Sequence, residues 1–245
     1  MKVVDAAWEK RNLGVSCYEF HIDHKDSLEE VKEICKKAGE RQYMVVRIPS
    51  NRSDLVSFFQ KEGYEFMESA FTLEHKLNDI TMPPRLLSIC RKCAWEKMTK
   101  NDMQILSREI YKNIFQTDRI SIDPEFTREQ AARRYDLWAK DLIRKGHIPY
   151  KVMFAGEPVG FFLNREMDDG IYDGLLAGTY SGFEGTGMGY CIQYAGIWSA
   201  KEKGARGYIG HISGNNPSVL KILLSIGFQM KEIAYIFIKH NKGEI

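Results

Sequence analysis

Tyr172-Asp-Gly-Leu-Leu-Ala-Gly-Thr-Tyr180 runs into Ser181-Gly-Phe-Glu-Gly-Thr-Gly-Met-Gly189, and these two pieces decide the fold. The first half-alternates and reads as a strand; the second carries four glycines and reads as a loop. Tyr190 to Glu202 follows with apolar residues at helical spacing and no Gly or Pro except Gly196. Gly204-Ala-Arg-Gly207 ends that helix, and Tyr208 to Ser213 is a second strand. Asn215-Asn216-Pro217 opens a second helix, which closes on Gly227-Phe228. Glycine reaches positive φ without steric cost, so such a loop can turn its backbone N–H groups inward. A helix starting directly after it adds free N–H groups and the positive end of its dipole. The pair makes an anion site suited to a pyrophosphate.

Two nucleotide motifs fail here. A P-loop needs Lys after its last glycine, and Met188 follows Gly187. A dinucleotide fold needs G-x-G-x-x-G, and Gly185-Thr-Gly187-Met-Gly189 has another spacing. The stretch resembles the acetyl-CoA loop of the GCN5-related N-acetyltransferases, Gln/Arg-x-x-Gly-x-Gly/Ala after a strand. Gly187 and Gly189 match its two glycines, and Glu184 stands where Gln or Arg is usual. Asn216 and Gly227-Phe228 match the later Asn-helix and Gly-Phe signature at the family's spacing.

The chain has 245 residues, 44% hydrophobic and 28% charged, which suits one large or two small globular domains. A net charge of +2 gives no field that favours nucleic acid or a membrane surface. Met1 to Gly14 has no apolar signal core, and no apolar run is long enough to span a bilayer, so a cytoplasmic protein is expected. Five cysteines read as reduced thiols. Cys90-Arg-Lys-Cys93 is a single C-x-x-C; a structural zinc needs a second ligand pair, so no metal is expected.

An internal repeat precedes the loop. Tyr43-Met-Val-Val-Arg-Ile-Pro-Ser-Asn51 parallels Tyr208-Ile-Gly-His-Ile-Ser-Gly-Asn-Asn216, and Glu62-Gly-Tyr64 parallels Ile226-Gly-Phe228. Phe71 and Tyr235 follow at equal distances, and one insertion aligns the copies. This reads as a β-α-β-β unit used twice. The first copy lacks the glycine loop, since its helix from Ser27 to Ala38 follows His21-Ile-Asp-His-Lys-Asp26.

Between the copies, Asn78 to Arg85 reads as a linker and Leu86 to Trp95 as a strand. Lys100 to Phe115 is a helix capped by Asn101 or Asp102. Thr127 to Lys145 is a second one, with a Thr127/Gln130 capping box and Gly146 behind it. Lys151–Phe154, Val159–Leu163 and Ile171–Thr179 are three antiparallel strands.

The order from Thr99 onward matches the acetyltransferase family. The resemblance implies an α/β (α+β) fold, a mixed sheet flanked by helices. It divides the chain into a degenerate, smaller N-terminal unit at 1–78, a connection at 79–98 and an acetyltransferase domain at 99–245. Asp118-Arg-Ile-Ser-Ile-Asp-Pro-Glu-Phe126, Ala132 and Tyr135-Asp-Leu-Trp138 are similar to a segment of the dTDP-fucosamine N-acetyltransferases, which acetylate an amino sugar.

The resemblance implies acetyl-CoA as co-substrate and a small-molecule amine as acceptor. Ala177 and Thr179 would meet the pantetheine arm, Glu184, Gly185, Thr186, Gly187, Met188 and Gly189 would cradle the pyrophosphate, and Asn216 would bond the cofactor. A carboxylate repels pyrophosphate, so the side chain of Glu184 must point away. The family's frequent acid is a Tyr four residues before Gly-Phe; that position is Leu223. Asp173 and His211 remain as proton carriers: Asp173 shares a face with Ala177 and Thr179 by period two unless a bulge intervenes, and His211 lies where the two parallel strands should part. Three functions stay open: an N-acetyltransferase acting as monomer or homodimer, a non-catalytic CoA-binding sensor, and an aminoacyl transferase of the tandem type. The balanced charge argues against the last, because RNA binding wants a basic groove.

Overall fold

A computed structural model describes residues 1–78 and 80–241. The first run of elements is β1 (Lys2–Asp5), α1 (Trp8–Asn12), β2 (Cys17–His21), α2 (Leu28–Ala38), β3 (Tyr43–Pro49), α3 (Ser53–Lys61) and β4 (Glu65–Lys76). The second is α4 (Pro84–Cys90), β5 (Ala94–Lys97), α5 (Lys100–Tyr111), α6 (Arg119–Ile122), α7 (Arg128–Arg144), β6 (Pro149–Phe154), β7 (Glu157–Glu166), β8 (Ile171–Thr179), α8 (Met188–Glu202), β9 (Gly207–Ser213), α9 (Pro217–Ser225) and β10 (Gln229–His240). The ten strands among the described residues form one mixed sheet in the order β1-β2-β3-β10-β4-β9-β8-β7-β6-β5.

Local chemistry sets the element ends. Thr127 and Gln130 form the capping box of α7 as the spacing predicts. Thr99, two residues ahead of the nearer predicted cap, caps α5, with Asp102 as its reciprocal partner. Each such cap stabilises by about 1 kcal/mol. The strand predicted from Leu86 to Trp95 is instead helix α4 followed by β5. Pro83-Pro84 explains the difference: Pro84 is the first helical residue, where a missing N–H costs nothing. The β6–β7 hairpin turns at Ala155 (φ 51°) and Gly156 (φ 88°), a two-residue turn with both central φ values positive.

The repeat is closer than its sequence suggests. β3 and β9 begin at 43 and 207, α3 and α9 at 53 and 217, β4 and β10 at 65 and 229, a constant step of 164. No insertion is needed, so Tyr43 corresponds to Gly207 and not to Tyr208. The predicted closing pair of strands is one 12-residue strand in each copy. Ala70 pairs with Ala234, the same step apart, and on either side of that pair lies one bulged residue, Met67 in β4 and Lys231 in β10. The strand order reads the same from both ends under exchange of the copies, out to β1 and β7. An approximate dyad therefore runs through the Ala70–Ala234 pair, and each copy's last strand is inserted into the other copy's half of the sheet.

Two helical layers cover the sheet. On one face α8 and α9 pack Ile197, Ala200, Ile222 and Leu223 on Tyr172 and Tyr208, and α2 and α3 pack Val31, Leu55 and Phe59 on Val46, Ile48 and Phe237. On the other face α5 and α7 pack Leu106, Ile110 and Leu142 on Phe161, Leu163 and Leu176. Ala131 of α7 and Ile120 of α6 extend that layer over Tyr43, Val45 and Ile236, so α7 bridges both halves.

Candidate active site

The β8–β9 ladder is parallel and runs from Ile171–Gly207 to Gly174–Gly210, where it stops. Both strands continue, β8 through Leu175 to Thr179 and β9 through His211 to Ser213. Their facing edges part there and leave a V-shaped opening in the sheet. In the first copy β2 stays paired with β3 along its whole length, from Cys17–Tyr43 to His21–Arg47.

The glycine loop stands at the mouth of this V. Its first donors are spent: Ser181 N–H on Glu109 (2.7 Å), and Gly182 N–H on the Glu184 carboxylate (2.7 Å). Glu184 is thus turned back on its own loop. Gly187, at φ 86°, is the N-cap of α8, and among the described residues no side chain caps this helix. The N–H groups of Gly185, Gly187, Met188 and Gly189 take no hydrogen-bond partner among the described residues. A Cβ on Gly187 would meet nothing within 4 Å, so the space beside its backbone is open. Helix α2 of the first copy differs: Ser27 and Glu30 form a capping box over its first turn.

Residues 173–179 do not keep one parity. The pairing of β7 with β8 shifts between Leu163–Leu176 and Asn164–Gly174, which leaves Leu175 as an extra residue. Gly174 lies against Tyr208 on the α8 side, whereas Gly178 lies against Phe161 and Ile114 on the α5–α7 side. Ala177 packs with Cys191 and Ile192 of α8. Asp173 is therefore on the face opposite Ala177, against the period-two expectation, and joins His211 on the α5–α7 face. Asn216 caps α9, its Oδ1 accepting from Val219 N–H (3.2 Å).

Asp173 is 3% exposed. Arg165 donates to its Oδ2 (2.6 Å), and His211 Nε2 lies 3.4 Å from Oδ1, an ion-pair distance short of hydrogen-bond geometry. Burial alone would raise the carboxyl's pKa; the approach and charge of His211, then of Arg165, outweigh it and hold the pKa below its ordinary value. His211 Nδ1 lies 3.4 Å from Thr72 Oγ1, which also accepts from Arg47 (3.4 Å). Arg165, Thr72 and Arg47 were not found from sequence. Thr72 and Arg47 come from the first copy and reach His211 only because β4 is inserted beside β9, a pairing no local pattern encodes.

A second buried carboxyl, Glu68 of β4, lies further along the same face. Its Oε1 accepts from Arg119 N–H (3.0 Å), and its Oε2 is buried without a hydrogen bond. The hydroxyl of Ser213 is spent on Thr117 O (2.7 Å). Desolvation raises the pKa of Glu68, with Ser213 and Arg119 opposing. These bonds hold the 117–119 segment over the sheet beside His211. Tyr135 stacks on Phe115 (4.1 Å between centroids), and with Trp138 it packs in the α5–α7 core. Leu223 is 1% exposed and faces Gly210 beneath α9.

No family model matches the chain, and no curated protein does. Solved structures do. A GCN5-related N-acetyltransferase from Sphaerobacter thermophilus is 13% identical with a TM-score of 0.53, over 83% of this chain. The chain spans only 61% of the length of that protein. A GCN5-related N-acetyltransferase from Kribbella flavida is 14% identical with a TM-score of 0.53, over 94% of this chain and 82% of its own. A tandem protein of this class from the clavulanic acid biosynthesis pathway is 9% identical with a TM-score of 0.53, over 87% of this chain and 68% of its own. The chain has the fold of the GCN5-related N-acetyltransferases, a mixed α/β sheet flanked by helices. Among the described residues no helix is long and apolar enough to cross a membrane.

Proposed function

We propose that this protein is an acetyl-CoA-dependent N-acetyltransferase acting on a small amine. The observation that carries the reading is the set of unspent N–H groups of Gly185, Gly187, Met188 and Gly189, at the mouth of the parted strands. Hydrogen bonds from such groups to a charged oxygen stabilise by roughly 1.5–3 kcal/mol each. The uncapped helix adds its dipole to the same point. Transfer needs the acceptor amine neutral and aligned with the thioester, which is mostly a matter of position and one proton. On the acceptor side His211 takes that proton, and Asp173, held ionised by Arg165, orients its ring. The similarity of 118–126 and 135–138 to sugar-amine acetyltransferases supports an amino sugar as acceptor, since the 117–119 segment covers the sheet beside His211.

One observation favours a second reading, a CoA-binding sensor without catalysis: the position of the family's frequent acid is a buried leucine, Leu223. Gly187→Val tests cofactor binding. Its Cβ would enter open space, so the protein folds, with the strain of a side chain at φ 86°. Gly204→Val, at φ 84° and with equally open surroundings, carries the same strain away from the loop. Calorimetry should show CoA affinity lost by more than about tenfold, or ~1.4 kcal/mol, in the first variant only. Equal affinity in both would refute the reading of the loop. With binding established, thiol release from acetyl-CoA and a panel of amines separates the enzyme from the sensor.

A further inference from the structure

The dyad makes two equivalent places on the α5–α7 face, and only one of them is filled. In the first copy Tyr43 lies between Cys17 of β2 and His240 of β10, in register with both. Its ring is 0% exposed, against Phe126 (5.2 Å between centroids) and His240 (4.9 Å), and it packs in one cluster with Ile120 and Ala131. In the second copy the same register sets Gly207 between Ile171 of β8 and Lys76 of β4. The next pair along, Val45 with Ile238, becomes Ile209 with Glu74. Where the first copy has a packed ring, the second has a pocket of about 580 Å³, lined by these residues together with Arg206 and Lys231.

The pocket continues the face that carries Asp173 and His211. Ile171 lies two residues before Asp173, Ile209 two before His211, and Glu74 two after Thr72, with no register shift in either ladder. The side chain of His211 is 55% exposed, so its ring is within reach of a ligand on this face. The pocket also carries uncancelled positive charge. Lys231 is paired with Glu74 (2.6 Å), but Lys76 is exposed and takes no hydrogen bond or ion pair among the described residues. Arg206 donates twice, from Nε (3.0 Å) and Nη2 (2.6 Å), to the carbonyl of Asp169, and no carboxylate pairs with it among the described residues. A carbonyl fixes the guanidinium in place without cancelling its charge.

We propose that this pocket binds an acidic oxygen group, phosphate or carboxylate, carried by the amine that the protein acetylates. The proposal rests on the acetyltransferase reading and narrows its acceptor. Lys76 stands opposite Gly207, four residues from His211, roughly 13 Å at the rise of a strand. The side chains of Lys76 and Arg206 shorten that gap, so the acid group lies on the order of 10 Å from the reacting nitrogen. Ile171 and Ile209 offer apolar surface to the carbons between. Lys76 and Arg206 hold the acid group equally before and during transfer, so their effect falls on KM. In the first copy the ring of Tyr43 takes up the equivalent space, so only the second copy offers this site.

The first arm of the test titrates hexyl phosphate and heptanoate into the full chain and follows amide NMR shifts. At least one probe should move the signals of residues 74–76 and 206–209, a readout that needs neither CoA nor turnover. The second arm measures thiol release from acetyl-CoA with hexylamine, ω-aminohexyl phosphate and ω-aminoheptanoate. One acidic amine should exceed hexylamine in kcat/KM by at least about tenfold, mostly through KM, and which of the two does so tells phosphate from carboxylate. Lys76→Glu, at an exposed side chain, should fold as the parent does and abolish the preference. Gly207→Tyr puts the first copy's ring into the pocket and should abolish it too; its Cβ would meet Ile171 Cδ1 at 2.7 Å, so Lys76→Glu decides if that variant does not fold. Equal kcat/KM for the three amines, a preference that survives Lys76→Glu, or no shift at 206–209 with either probe would overturn the proposal. If no amine releases thiol, the acetyltransferase reading falls, while the amide shifts still judge the pocket.

Discussion

Asp173 and His211 show how far single residues could be read. Both were visible as candidates from residue type and place on a strand. Their pairing was not, because Leu175 breaks the period of two and moves Asp173 to the other face. His211→Ala should cut kcat/KM roughly 10²–10⁴-fold, the span of general acid–base catalysis. Asp173→Asn should lower kcat with little change in KM, since it removes the orienting charge and not a substrate contact. Steady-state kinetics of both variants decides; a raised KM alone would mean that Asp173 holds the ammonium. Glu68 gives a stability prediction. Its folded pKa is raised, so its contribution is present below the unfolded value of about 4.3 and is lost as pH rises through the folded one. Glu68→Gln should therefore raise Tm at pH 7 and give no gain near pH 4. Asp173 has the opposite sign: its contribution is present at neutral pH and fades as pH falls through its depressed pKa.

Elements were read more reliably than residues where a cap or turn marks them. Thr127/Gln130, Gly146 and Gly227 announce their helix ends in sequence, and the structure uses all three. The element at 86–95 has neither a clear period nor a turn signal within it, and the Pro pair before it reads as linker as readily as a helix start. The sequence pattern sets Tyr43 against Tyr208; in the fold Tyr43 is matched by Gly207, whose missing side chain makes room for Ile171. Close approach also fixes Gly160 of β7. A Cβ there would collide with Gly178 O and Ile192, backbone and core together. Gly160→Ala should cost about 1–3 kcal/mol in chemical denaturation, the usual span for overpacking. A loss near zero would mean that β7 and β8 separate more easily than their pairing suggests.

At the scale of the whole molecule the repeat was legible but its use was not. Sequence shows two similar units; it carries no mark of the exchange that seats β10 between β3 and β4, and β4 between β9 and β10. Neither half closes its own sheet, so denaturant should unfold the chain in one transition, with Trp8 and Trp198, one in each half, reporting the same midpoint. Two separated midpoints would show that the halves hold themselves together. The same exchange imposes an order in time on a chain still being made. On the edge away from β2, Tyr43 finds its partner in His240. Until the last strand leaves the ribosome, β3 and β4 wait with two long unpaired edges facing an empty slot between them. Such edges invite pairing with a neighbour. A second nascent chain offers the best-matched substitute, its β4, since β4 and β10 are equivalent about the dyad. Synthesis speed and chaperone cover over that interval, more than the stability of the finished sheet, then govern how much of this protein reaches its native form.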